Sequence, residues 1–173
     1  DFDPLEPEPD VQLDIVEPGR ALPGDADLII LPGSKATIAD LVFFREQGWD
    51  IDLAAHVRRG GQVLGICAGF QMLGTQVTDP NGIEGNTKEI DGLGYLNTET
   101  ELTGSKTLLY AKGHDCLYNE PLSGYEMHIG NTSGSDMSRP FLEMNSIAEG
   151  AISSDGKIMA CYVHGLFASD EFR

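Results

Sequence analysis

The pentapeptide Gly65-Ile66-Cys67-Ala68-Gly69 sets a cysteine among small residues, at the point where one short apolar run ends and another apolar pattern begins. Val63 to Ile66 reads as a buried strand, and Phe70, Met72 and Leu73 read as the inner face of a helix. A residue in such a strand-to-helix corner occupies a strained turn, and its neighbours must be small because backbone passes close by. Gly65, Ala68 and Gly69 meet that requirement. The corner pushes Sγ out at the carboxyl edge of a sheet, toward the unpaired N–H groups of the next helix, where a thiolate is favoured. The chemistry on offer is nucleophilic attack by sulfur. A buried structural cysteine on a tight turn satisfies the same pattern, because free Cys packs as a small hydrophobe.

A thiol nucleophile needs a base, and there are four histidines. His56 falls in mid-helix beside Arg58 and Arg59 and reads as part of a solvated face. His114 lies in a Gly-His-Asp loop and has no assignable role. His164 follows the apolar run Lys157 to Val163 at its carboxyl end, the edge on which an elbow presents its cysteine and on which open α/β sheets build their sites. His128 is the second candidate. It shares one face of an expected strand with Glu126, in Gly124-Tyr125-Glu126-Met127-His128-Ile129-Gly130, which suits a ligand-facing edge as well as a solvated one.

Acyl transfer also needs donors for a developing oxyanion. The Ala68 N–H, directly after the cysteine, is one. The loop Leu31-Pro32-Gly33-Ser34 is the candidate for the second, with Gly33 permitting close backbone approach, although a plain βα turn has the same composition. No phosphate-binding loop and no Gly-x-Gly-x-x-Gly occurs, so nucleotide chemistry is not expected in this chain.

The elements that must position these residues alternate. Val11, Leu13 and Ile15 have the period of a half-buried strand, and Leu28 to Leu31 is a continuous buried one. A helix runs through Ile38, Leu41, Val42 and Phe44 to about Gly48. Asp50 is an N-cap for a second helix, with Arg58 and Arg59 in its last turn and Gly60 as its stop. Strand, helix, helix, elbow strand, helix is the pattern of a parallel sheet with helices on its faces. Beyond Thr78 the texture changes. Thr98 to Leu102, Thr107 to Ala111 and Tyr125 to Ile129 read as short strands between Gly-rich turns, an antiparallel addition.

The 173 residues make about one domain. The 28 acidic against 11 basic residues give a net charge of −17, which repels phosphate backbones and anionic lipids, so neither nucleic acid nor a membrane is expected as a partner. Cys67, Cys116 and Cys161 form no Cys-x-x-Cys pair, which disfavours a disulfide framework or a zinc cluster and fits a reducing, cytoplasmic setting. Neither a membrane-length apolar run nor a signal-like N-terminus is present. Asp1 to Pro9 carries three prolines, and residues 1–10 are expected to be a linker from a preceding domain, with 11–173 as the domain proper.

These residues resemble a known family. The elbow with Cys67 and Gln71, the Leu31–Ser34 loop and His164 are similar to a class I (triad) glutamine amidotransferase domain. The strings ILPGSKATIADL, GWDIDL, GICAGFQMLG, GYEMHIG and YVHGLF, spread over nearly the whole chain, resemble the C-terminal glutaminase domains of the cobyric acid synthase family. The resemblance implies a flavodoxin-like three-layer α/β fold: a mostly parallel central sheet, helices on both faces and additional antiparallel strands. It implies Cys67 as nucleophile, His164 as proton relay, the Ala68 and Gly33–Ser34 backbone as oxyanion hole, Gln71 at the substrate's amino-acid end, and Tyr125, Glu126 and His128 near the substrate. It also implies glutamine as substrate and no cofactor in this domain. The ammonia would serve an N-terminal synthetase domain of the same polypeptide, which would use ATP and Mg to amidate carboxylates of a corrinoid, adenosylcobyrinic acid a,c-diamide.

The wider class carries His-x-Glu, whereas Leu166 stands two residues after His164. Either a dyad suffices or another acid, Glu126 or Asp170, substitutes. Alternatives within the same chemistry are the cobyrinic acid a,c-diamide synthase and peptidoglycan-amidating branches. A cysteine hydrolase sharing the elbow is the alternative outside it.

Overall fold

A computed structural model describes residues 1–173, apart from the side chains of residues 105–107. In chain order the regular elements are β1 (Leu28–Leu31), α1 (Thr37–Glu46), α2 (Trp49–Arg58), β2 (Gln62–Ile66), α3 (Ala68–Leu73), β3 (Gln76–Thr78), β4 (Glu89–Asp91), β5 (Glu99–Asp115), β6 (Pro121–Ser133), β7 (Leu142–Met144), β8 (Ile147–Glu149), β9 (Ala151–Ile152), β10 (Ile158–Cys161) and β11 (Val163–His164). Short 3-10 turns occur at Asp3–Leu5, Ser135–Ser138 and Leu166–Ala168.

The mixed α/β architecture follows from two sheets. The first has the order β1-β2-β10-β9, with β1, β2 and β10 mutually parallel and β9 antiparallel to β10. Val63, Leu64 and Ile66 on the central β2 are all buried, as a strand covered on both faces requires, which is why its sequence is apolar without alternation. The second sheet, β11-β6-β5-β3-β4 with β7 and β8 appended, is antiparallel except where β3 meets β5. The antiparallel addition is therefore a sheet in its own right. The stretches expected at 98–102 and 107–111 are not separate short strands: residues 99–102 and 107–111 belong to the single long β5, whose pairing with β6 shifts register between Glu101 and Lys106.

Three further expectations change. Residues 11–17 form no strand, and Val11 and Ile15 are exposed, because alternation stabilises a strand only where a sheet edge is available to pair with it. Helix α2 is capped by Gly48, at φ 75°, rather than by Asp50, which lies in its first turn. His56 is buried rather than solvated, with Nε2 2.8 Å from the Gln62 carbonyl and its ring against Gly61, where any Cβ would collide with it. The start of the following strand folds back over that side of α2.

The expected strand 157–163 breaks at Tyr162. Its N–H donates to Oε1 of Glu149 at 2.6 Å instead of to a sheet partner. The chain thereby leaves the first sheet at Cys161 and enters the second, where Val163 and His164 pair with Glu126 and Tyr125 of β6. That crossing brings the end of β10 beside β2, and His164 beside β6. The acidic, proline-rich start of the chain is docked on this same end of the molecule. Its turn at Asp3–Leu5 packs against Leu166–Ala168, Leu5 is buried in the core, and Phe2 lies on Phe167 with ring centroids 6.1 Å apart. Among the described residues no helix is long and apolar enough to cross a membrane.

Candidate active site

Cys67 terminates β2 and caps α3 with φ 54° and ψ −109°, a backbone conformation that L-residues rarely hold and that costs on the order of 1–3 kcal/mol. The surroundings impose it. The Cys67 N–H donates to the Cys161 carbonyl (2.8 Å), which ties the elbow to β10. Gly69 lies so near the Leu31 carbonyl that a Cβ there would approach it to 2.0 Å, and a Cβ on Gly65 would approach the Gly69 carbonyl to 2.8 Å. The small residues expected around the cysteine are thus needed for α3 to sit directly over β1 and β2.

His164 and Gly33 meet the elbow from two other elements. A Cβ on Gly33 would lie 2.7 Å from His164 Cε1, 3.6 Å from Nε2 and 3.4 Å from Cys67 Cβ, so this glycine occupies the junction between nucleophile and base. The imidazole is buried and stacked on Tyr125, with ring centroids 5.2 Å apart and planes 10° apart. Its Nε2 has no hydrogen-bond partner among the described residues. Its Nδ1 lies 2.8 Å from Oδ2 of Asp1. Burial lowers the pKa of His164 below that of an ordinary histidine, with the Met127 carbonyl opposing it.

The thiol departs from its expected state. Burial raises the Cys67 pKa above the usual thiol value, and the Ala68 N–H, which favours the thiolate, offsets this only in part. Its Sγ–H donates to the Met127 carbonyl of β6 at 3.4 Å. The resting site therefore holds a neutral thiol beside a neutral imidazole, because desolvation outweighs the contribution of the short α3.

The remaining predicted residues separate into two groups. Tyr125 and the Met127 backbone touch the reacting pair. Gln71 is buried behind it: its Oε1 accepts from Thr37 Oγ1 (2.7 Å) and its Nε2 donates to the Ile129 carbonyl (2.8 Å) and to Tyr162 Oη (3.3 Å), so its amide is engaged with the protein. Glu126 and His128 do share a face, and they pair with each other, Oε1 to Nε2 at 2.7 Å, with the His128 ring stacked on Tyr162. Ser34 Oγ is bonded to the Asp40 carboxylate and accepts from the Ala36 N–H, so its hydroxyl is engaged within its own loop and helix start. Neither acid named as a replacement for the missing glutamate contacts His164 through a hydrogen bond: Glu126 is held by His128, and Asp170 by Arg173 at 2.9 Å.

Two residues were missed by sequence reasoning. Asp1 was assigned to a linker, and its only signal was the apolar pair Phe2 and Leu5, which seats the segment. Glu149, with Oε2 buried and without a hydrogen-bond partner among the described residues, sits close to Glu126, and burial pushes its pKa up to about 8. Nothing in its local sequence marks it.

An elbow thiol, an imidazole on a neighbouring strand end and a backbone loop beside both are the groups that a cysteine-dependent acyl transfer needs, and they lie on a class I amidotransferase type of fold. The model of CobB/CobQ-like glutamine amidotransferase domains matches residues 1–172, and the chain belongs to that family. Among its relatives are the cobyric acid synthases of Brucella canis and Brucella suis, each 54% identical over 173 residues, which is 100% of this chain and 36% of those proteins. The chain thus spans about a third of the length of the curated relatives it matches. Two solved structures share the fold: a glutamine amidotransferase (TM-score 0.54, 17% identity, 84% of this chain and 74% of that one) and PurLQS from Thermotoga maritima (TM-score 0.59, 18% identity, 85% and 75%).

Proposed function

We propose that this glutaminase domain supplies ammonia to a synthetase part of the same polypeptide, which amidates carboxylates of adenosylcobyrinic acid a,c-diamide at the expense of ATP with Mg. The domain itself needs no cofactor. The observation that carries the reading is the convergence of Cys67, His164 and Gly33 at van der Waals range, in a chain 54% identical to cobyric acid synthases.

His164 Nε2 takes the Cys67 proton as sulfur attacks the carboxamide carbon of glutamine. The negative oxygen is held by the Ala68 N–H and the Gly33–Ser34 backbone. The imidazolium returns the proton to nitrogen, the C–N bond breaks, and ammonia leaves a γ-glutamyl thioester on Cys67. Water, deprotonated by the same imidazole, then attacks the thioester; glutamate departs and the thiol is regenerated. Gln71 acts by bracing α3 against β6 and Tyr162, and Glu126 with His128 forms the polar wall near the substrate.

Coupling to a synthetase is supported by an apolar strip beside the site. Leu108 and Tyr110 on β5 are exposed, and Tyr110 pairs in register with Tyr125, the residue stacked on His164. A surface of that kind next to a reacting centre suits coverage by another domain. The test is glutamate release by the full-length polypeptide with ATP and the corrinoid acid present or omitted. Stimulation by the corrinoid supports the pathway assignment. Turnover that ignores the corrinoid but responds to another ATP-activated carboxylic acid moves the domain to a related amidotransferase.

A further inference from the structure

The imidazole of His164 has two ring nitrogens with different fates. Nε2 has no hydrogen-bond partner among the described residues, on the side where Gly33 and Cys67 lie. Nδ1 lies 2.8 Å from Oδ2 of Asp1, in a contact that spans almost the whole chain and leaves the Asp1 carboxylate only a quarter exposed. The other acids near this end of the molecule are engaged elsewhere: Glu126 is paired with His128, Asp170 with Arg173, and Oε1 of Glu149 accepts from the Tyr162 N–H, while the position two after His164 is the buried Leu166. The Asp1 carboxylate is also held in place. Phe2, the next residue, lies on Phe167, and Leu5 is buried in the core, which anchors the segment on the turn that directly follows His164.

We propose that Asp1 is the positioning residue of the catalytic pair: its carboxylate holds the Nδ1 proton of His164, fixes the tautomer with Nε2 facing the thiol, and supports the imidazolium that forms during attack. The proposal rests on the Cys67–His164 glutaminase reading. A carboxylate on Nδ1 leaves the lone pair at Nε2, the nitrogen that must accept the thiol proton, and its charge stabilises the cation generated by that transfer. The residue thus acts through His164 without touching glutamine. It also places part of the reaction machinery in a segment that composition alone marks as a connector.

The groups facing His164 are the Asp1 carboxylate, the Cys67 thiol, the Tyr125 ring, the Met127 carbonyl and the Gly33 backbone. Of these Asp1 alone carries a negative charge at neutral pH, so its removal must lower the pKa of the imidazole. The experiment compares the full-length polypeptide with its Asp1→Asn, Asp1→Glu and Asp1→Gly variants in glutamate release across pH. In Asp1→Asn, kcat is expected to fall by about tenfold or more while KM stays within about threefold, and the limb of the pH profile that reports His164 moves to lower pH. Asp1→Glu retains more activity than Asp1→Asn, and added formate restores part of the loss in Asp1→Gly. Equal kcat and an unmoved limb in Asp1→Asn, with wild type active, overturn the proposal and leave the glutaminase intact.

If wild type releases no glutamate, the glutaminase reading fails, and the titration of the His164 ring followed by NMR decides on Asp1. An imidazole pKa unchanged by Asp1→Asn overturns the contact, and a fall supports it.

Discussion

A Cβ on Gly33 would stand 2.7 Å from Cε1 of His164 and 3.4 Å from Cβ of Cys67, so the loop after β1 touches the nucleophile and the base at once. The relationship explains why a residue far from either in sequence must lack a side chain. Gly33→Ala is expected to displace the imidazole and reduce kcat/KM by about tenfold or more, while the thermal midpoint moves little because the collision falls on a side chain and not on the core. Glutamate release and a thermal melt, run side by side, check both halves.

Tyr125 bears on His164 through its ring, at 5.2 Å and 10°. Such stacking contributes about 0.5–1.5 kcal/mol, so Tyr125→Ala is expected to lower kcat by about threefold to tenfold, and Tyr125→Phe, which keeps the ring, to stay near wild type. Steady-state kinetics of the two variants decide; equal losses would mean that the hydroxyl, and not the stack, matters.

The thiol is raised and the imidazole lowered by burial, so the two rest as a neutral pair. The rate of Cys67 alkylation by iodoacetamide is therefore expected to climb only at pH values above the ordinary thiol range. A preformed thiolate–imidazolium pair would instead react at a rate that is already high and flat from about pH 6 to 8. Mass spectrometry of the Cys67 peptide as a function of pH distinguishes the two.

Glu149 gives the fold a pH dependence of its own. The native state keeps this proton up to about pH 8, whereas an unperturbed glutamate loses it near 4.5. The native state binds more protons across that window, so the stability linked to Glu149 is complete below pH 4.5 and is withdrawn as pH rises toward 8. Glu149→Gln is expected to flatten that decline in thermal midpoint, and a wild-type slope in the variant would contradict the assignment.

The elbow, the Pro-Gly loop, the buried strands at 28–31 and 63–66 and the placement of Glu126 and His128 on one face were legible in the sequence, because each is dictated by local sterics or by period; that the two bond to each other was not. What escaped depends on partners distant in the chain. The strand that seems continuous from Lys157 to Val163 breaks because a carboxylate from β8 captures the Tyr162 N–H. The cysteine looked activated by its helix, yet its burial among β6, β10 and α3 raises its pKa, and burial is a tertiary quantity. Asp1 was read as connector because proline and acidic residues dominate its neighbours, while its contact is with a residue 163 positions away.

Whether Cys67 is the nucleophile that attacks glutamine is tested by covalent trapping with a diazoketone analogue of glutamine, followed by peptide mass spectrometry. One label per chain is expected, on Cys67, formed as sulfur displaces dinitrogen and suppressed by excess glutamine. A label on the exposed Cys116, or labelling that glutamine does not prevent, would contradict the assignment of Cys67 as the nucleophile that attacks glutamine.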